Sequence, residues 1–302
     1  MTATDPGFRC AVESAGRPDD LAGTASQVRA FLLVEEPGPW GVDALTDSRL
    51  EVGAALKQAA AAAGVRPLLA RRHGRSDVAA GRRVFAAWAH PHQPWLETAV
   101  VERDDDLLSL DLAALGRGDS PGLMPSDAPV IAVCTHGRHD ACCAERGRPA
   151  SAALAQAHPE ESWQVSHIGG DRFAGNLVVL PHGLYYGRID PTSALTVAGA
   201  HLAGHVDLDH LRGRSGWAMP VQAAEIAVRR RLGETRLDAV RLLRRRRDAD
   251  AGLTRVELEV GGRSWAVEVR TTTGPEQARL TCRAGRDNPL PHHEIRTVET
   301  LS

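Results

Sequence analysis

An α/β fold is predicted for this chain of 302 residues, because short apolar runs typical of strands alternate with helical patterns along most of it. Glycine and proline residues interrupt the runs where the chain must turn. Hydrophobic residues make up 43% of the chain, which is enough to bury a core. At roughly 150 residues per domain, the length predicts about two domains.

The first segment, residues 1–125, is predicted to be an α/β unit. A strand at 31–35 ends at a Pro-Gly-Pro turn, and an Ala-rich helical pattern follows at 49–63. Three more apolar runs predict strands at 65–70, 83–89 and 98–103, and a short helix begins near Asp111. The stretch at 116–129 contains three glycines and three prolines, which indicates a boundary.

The middle segment, residues 126–215, has the order β-α-β-β-β-α. Its predicted strands lie at 129–134, 163–167, 177–180 and 184–189, and its helices at 148–157 and from Thr192 or Ser193 to about 203. This is the order of a thioredoxin-like domain. The first segment has a similar order without cysteines in matching places, so a degenerate thioredoxin-like half, produced by tandem duplication, stays an open interpretation.

The third segment, residues 216–302, is predicted to be a small α+β wing. An amphipathic helix at 221–232 is closed by Gly233, and alternating strands at 256–260 and 265–269 flank the pair Gly261-Gly262. Further strands are expected at 237–245 and 278–283. No motif in this segment suggests a role for it.

Composition excludes several classes of function. Lys and Arg number 36 against 38 Asp and Glu, so neither nucleic acid nor an anionic membrane is an expected partner. No run of 18 apolar residues and no apolar leader are present, which favours a soluble, cytoplasmic protein. Five cysteines are an odd and sparse set, so metal or redox roles are more plausible than a disulfide framework.

Two short strings contain the residues that could bind a metal or a cofactor. CTHGRHDACC at 134–143 and SHIGGDRFAGN at 166–176 both follow predicted strands of one sheet, where loops converge. The spacing allows a site with two donors from each loop: Cys134 and Cys143 from one, His167 and Asp171 from the other. Thiolates combined with imidazole suit iron–sulfur or zinc. Four residues are expected around the donors, Gly169 and Gly170 for close backbone approach and Arg172 and Asn176 as hydrogen-bond donors.

These strings resemble the sucrase/ferredoxin-like family, which is related to thioredoxin-like [2Fe-2S] ferredoxins. The similarity extends through SHIGGDRFAGNLVVLPHGLYYGR and the earlier LAGTA and FLLVEEPGPWG, and covers roughly residues 10–190. The family pattern holds the cluster through Cys-x8-Cys and His-x3-His. The resemblance therefore implies Cys134, Cys143, His167 and the residue at 171 as ligands of a [2Fe-2S] cluster.

Position 171 departs from the family pattern, since Asp171 stands where the family has histidine. A carboxylate is a harder ligand than imidazole. Three outcomes are open: Asp171 ligates directly, another residue takes the fourth place, or the cluster is absent and Asp171 pairs with an arginine such as Arg172. The candidates for a replacement ligand are Cys142, His136, His139, Cys10 and Cys282.

The leading hypothesis is therefore a soluble electron carrier rather than an enzyme, exchanging one electron with a partner such as an NAD(P)H-linked reductase. The alternative is a zinc-binding structural or interaction protein, on a thioredoxin-like fold that has lost the cluster. No pair of carboxylates assigns a glycosidase, so sucrase activity is not expected. No Cys-x-x-Cys pair is present, which argues against dithiol exchange.

Overall fold

Two β-sheets, one of ten strands and one of four, form the framework of the protein. The computed structural model describes residues 7–17, 20–74 and 81–301. Residues 1–6 lie outside the described ranges. They belong to the N-terminal stretch in which no leader is predicted. The large sheet is mixed and the small one antiparallel, so the α/β class predicted from the sequence is confirmed.

The large sheet uses the apolar runs of the first 215 residues. Its strands are β1 (Ala30–Glu35), β2 (Val65–Arg71), β3 (Arg82–Trp88), β4 (Trp95–Val101), β5 (Met124–Pro125), β6 (Val130–Cys134), β7 (Ser162–Val165), β8 (Leu177–Leu180), β9 (Leu184–Tyr186) and β10 (Leu211–Arg214). The helices of the protein are α1 (Cys10–Ala15), α2 (Gly53–Ala62), α3 (Leu112–Arg117), α4 (Ala141–Ala157), α5 (Pro191–Leu202) and α6 (Met219–Leu232). No helix in the described ranges is long and apolar enough to cross a membrane.

The large sheet consists of two halves with the same pairing. In the first half, β1 pairs parallel with β2 and antiparallel with β3, and β3 pairs with β4. In the second half, β6 pairs parallel with β7 and antiparallel with β8, and β8 pairs with β9. The halves meet where β2 and β7 run antiparallel, with Ala70 opposite Val165. Strand order across the sheet is β10-β9-β8-β6-β7-β2-β1-β3-β4-β5.

Strands at the centre of this sheet are buried on both faces, which explains why they are almost wholly apolar. In β6, Ile131 and Val133 pack against α4 and α5, while Ala132 and Cys134 belong to a core on the opposite face. Side chains alternate between the faces of a strand, so Cys134 is placed in the opposite core by its position in β6.

Helix α4 begins at Ala141, seven residues before the start predicted from the sequence. Asp140 is the reason, because its Oδ1 accepts a hydrogen bond of 2.9 Å from the backbone N–H of Cys142 and so caps the helix. Pro149, which the predicted start at residue 148 would place in the first turn, lies inside the helix instead. As a result Cys142 and Cys143 belong to the first helical turn and not to a loop.

The third segment combines α6 with the four-stranded antiparallel sheet. Its strands are β11 (Val240–Asp248), β12 (Leu253–Val260), β13 (Arg263–Ala278) and β14 (Asn288–Thr300). Trp217, Val228, Val256 and Trp265 share its core. The strand predicted at 278–283 is wrong: β13 ends at Ala278, and a loop at 279–287 leads into β14, an edge strand that the sequence pattern did not reveal because prolines interrupt it.

Candidate functional site

Three of the four predicted donors come together at the edge of the large sheet that is formed by the carboxyl ends of its central strands β6 and β7. Cys134 is the last residue of β6, and it lies opposite Val165 in the parallel partner β7, two residues before His167. Cys143 reaches the same place from the first turn of α4. The sulfur atoms of Cys134 and Cys143 and a ring nitrogen of His167 all lie within 4.8 Å of one another.

Asp171 joins these donors from a 3-10 turn that follows the Gly169-Gly170 pair. Its Oδ1 lies 3.3 Å from Cys143 Sγ and 3.0 Å from His167 Nδ1. We call Cys134, Cys143, His167 and Asp171 the sheet-edge cluster. All four residues named from the sequence are therefore neighbours in the structure.

His139 also lies beside the sheet-edge cluster. The sequence analysis named it only as one possible replacement for the fourth ligand. Its Nε2 lies 3.5 Å from Asp171 Oδ2, and its ring stacks on that of His167 with centroids 3.7 Å apart. His139, His167 and Asp171 form a second set of donor atoms within 4.8 Å of one another. Of the substitutes for the fourth ligand, His139 is the one within reach of this group.

The electrostatics of the cluster favour a charged network. The Cys143 thiol, with a contribution from His167, lowers the pKa of Cys134 to about 5 in spite of burial. Burial alone would lower the pKa of His167, but Asp171 and Cys134 raise it to about 9. Burial would likewise raise the pKa of Asp171, yet His139 and His167 hold it far below its usual range. One thiolate and one carboxylate thus surround a protonated imidazole at neutral pH.

A buried arginine holds the loop that carries His167 and Asp171. Arg212, in β10, donates from Nη1 to the carbonyl oxygen of Gly169 at 3.0 Å and to Asn176 Oδ1 at 2.8 Å. Asn176 donates in turn to the carbonyl oxygen of Gly170 at 2.8 Å. Burial lowers the pKa of Arg212 to about 10, so it remains charged at neutral pH. Sequence reasoning missed Arg212, because β10 is short and carries no apolar pattern.

The backbone of the loop requires glycine. Gly169 and Gly170 have φ angles of +98° and +82°, in the left-handed region. A Cβ at Gly170 would also collide with the guanidinium of Arg212. Asn176 and the two glycines therefore shape the loop, and Arg172 stacks its guanidinium over the Phe173 ring with its Cζ 4.4 Å from the ring centroid.

A cavity of about 310 Å³ opens beside the cluster. The large sheet contributes His139, His167 and Asp171 to its wall, and the third segment contributes Thr281, Pro291 and His293. The side chains of His167 and His139 are 27% and 34% exposed, whereas Cys134 and Cys143 are buried. The cluster is therefore approached from its histidine side.

A family model described as sucrase/ferredoxin-like matches residues 21–213, about two thirds of the chain. The chain belongs to the sucrase/ferredoxin-like family. The matched region contains all four residues of the sheet-edge cluster together with Arg212, and it excludes α1 and the four-stranded sheet. No curated protein matches the chain, and no solved structure matches it.

The donors of this sucrase/ferredoxin-like protein fit a metal centre in their chemistry. Two thiols, an imidazole and a carboxylate converge, and His167 Nδ1 is buried without an aligned hydrogen-bond partner among the described residues, although Asp171 is close. A buried nitrogen of this kind is suited to ligation. Zinc accepts all of these donor types, whereas an iron–sulfur cluster accepts the thiolates and the imidazole more readily than the carboxylate.

The other predicted substitutes lie elsewhere. Cys142 points away from the sheet-edge cluster, with its Sγ 3.4 Å from Cys282 Sγ, and Cys10 lies beside Cys282. The Nε2 of His136 lies 2.7 Å from the carbonyl oxygen of Gly41. These residues therefore do not supply a nearby fourth donor in this arrangement.

Proposed function

We propose that the protein is an electron carrier that holds a [2Fe-2S] cluster through the sheet-edge cluster. The observation that carries the proposal is the convergence of two thiols and an imidazole within 4.8 Å of one another, with Asp171 in contact with two of them. Membership of the sucrase/ferredoxin-like family supports it. Sulfur ligands combined with imidazole are typical of Rieske-type centres.

We also assign the second half to a thioredoxin-like domain, residues 126–215, and the first half to a degenerate copy within residues 1–125. The strand orders β7-β6-β8-β9 and β2-β1-β3-β4, with identical pairing, support this assignment. Residues 216–302 then form a separate α+β wing. The division places every residue of the sheet-edge cluster in one domain.

Cys134 and Cys143 would hold one iron, and His167 and Asp171 the other. When bound, the cluster accepts and releases a single electron. The buried cysteines keep water from the thiolate side, and the half-exposed histidine side faces the cavity, where a redox partner such as an NAD(P)H-linked reductase would approach. His167 must lose its proton from the ligating nitrogen, so loading is coupled to proton release. Five free cysteines are compatible with the reducing cytoplasm, where we expect the protein to act.

The test is the metal content of protein prepared without oxygen. We expect equal amounts of iron and acid-labile sulfide, a visible absorption band and an EPR signal after reduction. Cys134→Ser combined with Cys143→Ser should abolish all of these, while Val133→Ala, at the adjacent position of β6 in the opposite core, is the control that retains them per folded chain. A colourless, iron-free protein after anaerobic reconstitution contradicts the proposal.

Asp171 provides a second test. In Asp171→His, iron and sulfide should be retained and the midpoint potential should rise, because a neutral imidazole replaces an anionic ligand. An unchanged potential would mean that Asp171 is not a ligand, and a variant with His139→Asn would then show whether His139 takes its place.

Zinc at the same residues is the second candidate, and the carboxylate of Asp171 favours it. Two thiolates, one imidazole and one carboxylate are acceptable ligands for tetrahedral zinc, which is less demanding than an iron–sulfur cluster about hard donors. Zinc without acid-labile sulfide, lost in the Cys134→Ser and Cys143→Ser variant, would favour this structural role.

A further inference from the structure

A second group of donors lies on the other side of the first turn of α4. Cys282 Sγ is 3.4 Å from Cys142 Sγ and 3.5 Å from Cys10 Sγ, and Cys10 Sγ is 3.6 Å from Asp140 Oδ2. One donor atom from each of the four residues falls within 4.8 Å of the others. We call Cys10, Asp140, Cys142 and Cys282 the clip cluster.

Three distant segments of the chain meet at the clip cluster. Cys10 is the first residue of α1, Asp140 and Cys142 begin α4, and Cys282 lies in the loop at 279–287 between β13 and β14. Cys10 and Cys282 fall outside residues 21–213, the part that matches the family model. Two of the four residues of the cluster therefore lie in parts of the chain that the family match does not cover.

Contacts other than sulfur hold the loop at 279–287 in place. The backbone N–H of Cys282 donates to Asp140 Oδ2 at 2.6 Å, so one carboxylate both caps α4 and fixes this loop. Arg283 donates to the carbonyl oxygen of Arg138 at 3.0 Å, and the guanidinium of Arg279 lies over the ring of Phe8 with its Cζ 3.9 Å from the centroid. The thiol of Cys282 is thus positioned by its surroundings.

The carboxylate of Asp140 accepts hydrogen bonds from two backbone N–H groups but meets no cationic side chain in the described part of the chain. Its side chain is fully buried, and no arginine, lysine or histidine nitrogen of residues 7–17, 20–74 or 81–301 lies within 4 Å of it. The start of α4 favours an anion, but it supplies no full positive charge, and a divalent cation bound to the carboxylate and to thiolates would supply one.

The spacing of the sulfur atoms fits a metal ion better than a disulfide. The two sulfur separations, 3.4 and 3.5 Å, are far from the bonded distance of about 2.05 Å. Tetrahedral zinc with Zn–S bonds of about 2.3 Å separates its sulfur ligands by about 3.8 Å, close to what is seen. Cys282 is nearly equidistant from two thiols, and three thiols cannot all be paired.

We propose that Cys10, Cys142, Cys282 and Asp140 form a zinc site, separate from the sheet-edge cluster, that fastens α1 and the four-stranded sheet to the start of α4. Three thiolates and one carboxylate complete a tetrahedral shell without water, as in structural zinc sites. The ion would close the loop at 279–287 over the cavity beside His139 and His167, which gives the third segment a structural role.

The experiment measures zinc by elemental analysis in the purified full-length protein. Wild type is compared with variants of the sheet-edge cluster and with variants of the loop at 279–287. We expect one zinc per chain in wild type. Cys134→Ser with Cys143→Ser should retain it, whereas Cys282→Ser should lose it at least ten-fold, and Arg286→Lys in the same loop is the matched control that keeps it. Cys282→His, which restores a zinc ligand, should recover part of the binding.

The variant lacking Cys134 and Cys143 offers a second measurement, because its remaining thiols are those of the clip cluster. With zinc bound the partly exposed thiol of Cys282 should resist a thiol reagent, and after removal of zinc by a chelator it should react, whereas the buried thiols of Cys10 and Cys142 should react fully only when the protein is unfolded. This measurement decides the matter even if Cys282→Ser does not fold.

Three outcomes overturn the proposal. One is a disulfide among Cys10, Cys142 and Cys282 in protein without zinc, seen by mass spectrometry. Another is zinc that survives Cys282→Ser unchanged. The third is zinc that disappears with Cys134 and Cys143 but not with Cys282, which would assign it to the sheet-edge cluster. Loss of iron and sulfide alone bears only on the electron-carrier proposal, so failure of one proposal is distinguishable from failure of the other.

Discussion

In the first half of the large sheet, β1 leads into Glu36, a buried carboxylate that lies 2.8 Å from the guanidinium of Arg82. Arg82 also pairs with Asp104 at 2.5 Å. In the second half, the equivalent strand β6 ends in Cys134, and the neighbouring carboxylate of Asp171 lies against the imidazole rings of His139 and His167 and the thiol of Cys143. The same order of strands therefore ends once in a permanent ion pair and once in groups that a metal can deprotonate.

This difference explains why the candidate metal site at a strand end lies in the second half. An arginine is charged at any ordinary pH and cannot be a ligand, so it satisfies Glu36 and Asp104 permanently. Histidine can release its proton and then bind a metal. The side chains after β1 form a stabilising ion pair, whereas the side chains at the end of β6 remain available to bind a metal.

The largest expected effect is on iron in the second half. Cys134→Ser alone should reduce bound iron at least ten-fold, because one of two thiolates is removed. Glu36→Gln, at the matching strand end of the first half, should leave iron per folded chain unchanged. Iron analysis of both variants against wild type checks this, and iron loss in Glu36→Gln would break the proposed division between the halves.

The next effect is on stability in the first half. Arg82→Met leaves the buried carboxylate of Glu36 without a counter-charge, so we expect the free energy of unfolding to fall by about 3 kcal/mol. Urea denaturation followed by circular dichroism measures it. A loss below about 1 kcal/mol would indicate that the pair behaves like a surface pair.

The turn between the third and fourth strands of each half contains histidine, and the two turns should differ in how strongly they make the free energy of unfolding depend on pH. In the second half, burial lowers the pKa of His182 to about 4 and that of His201, on α5, to about 3. These histidines stay neutral when folded but take up protons at about pH 6.5 when unfolded, so stability is present above that pH and is lost as pH falls. We expect each of the two histidines to cost about 2 kcal/mol of stability between pH 7 and pH 5.

Denaturant titrations at the two pH values measure this dependence. His182→Asn combined with His201→Leu should flatten it. His90→Asn with His92→Asn, in the more exposed turn of the first half, should change it little. If the second pair of substitutions flattens the profile instead, the difference in burial between the two turns is not what controls it.

The smallest expected effect concerns an exposed ion pair of the first half. Arg103 and Asp105 are 3.4 Å apart, but their side chains are 74% and 72% exposed. Arg103→Met should change the free energy of unfolding by less than about 0.5 kcal/mol, because water screens the pair. This variant is the matched control for Arg82→Met, and a loss as large as that of Arg82→Met would show that burial does not set the difference.

Local patterns were sufficient to predict much of the large sheet and the meeting of its donors. Strands β1, β6 and β8 were predicted within one residue, because central strands are continuous apolar runs. Cys134 and His167 follow parallel neighbouring strands, and this alone predicts that they converge.

What could not be predicted depends on contacts between distant residues. Cys282 reaches Asp140 and Cys142 across about 140 positions of sequence, and Arg212 reaches Gly169 across 43. Such contacts leave no periodicity in either segment. The start of α4 was missed for a smaller reason: Pro149 suggested a first turn, while the cap was provided by Asp140.

Cys142 and Cys143 are consecutive residues, and a helix turns by about 100° from one residue to the next. This places their thiols in two different clusters. Loss of a single codon at Ala141 would rotate the whole turn and present the wrong thiol to each cluster, although no cysteine would be lost. During evolution, the first turn of α4 should therefore tolerate substitutions at its other positions more readily than an insertion or a deletion.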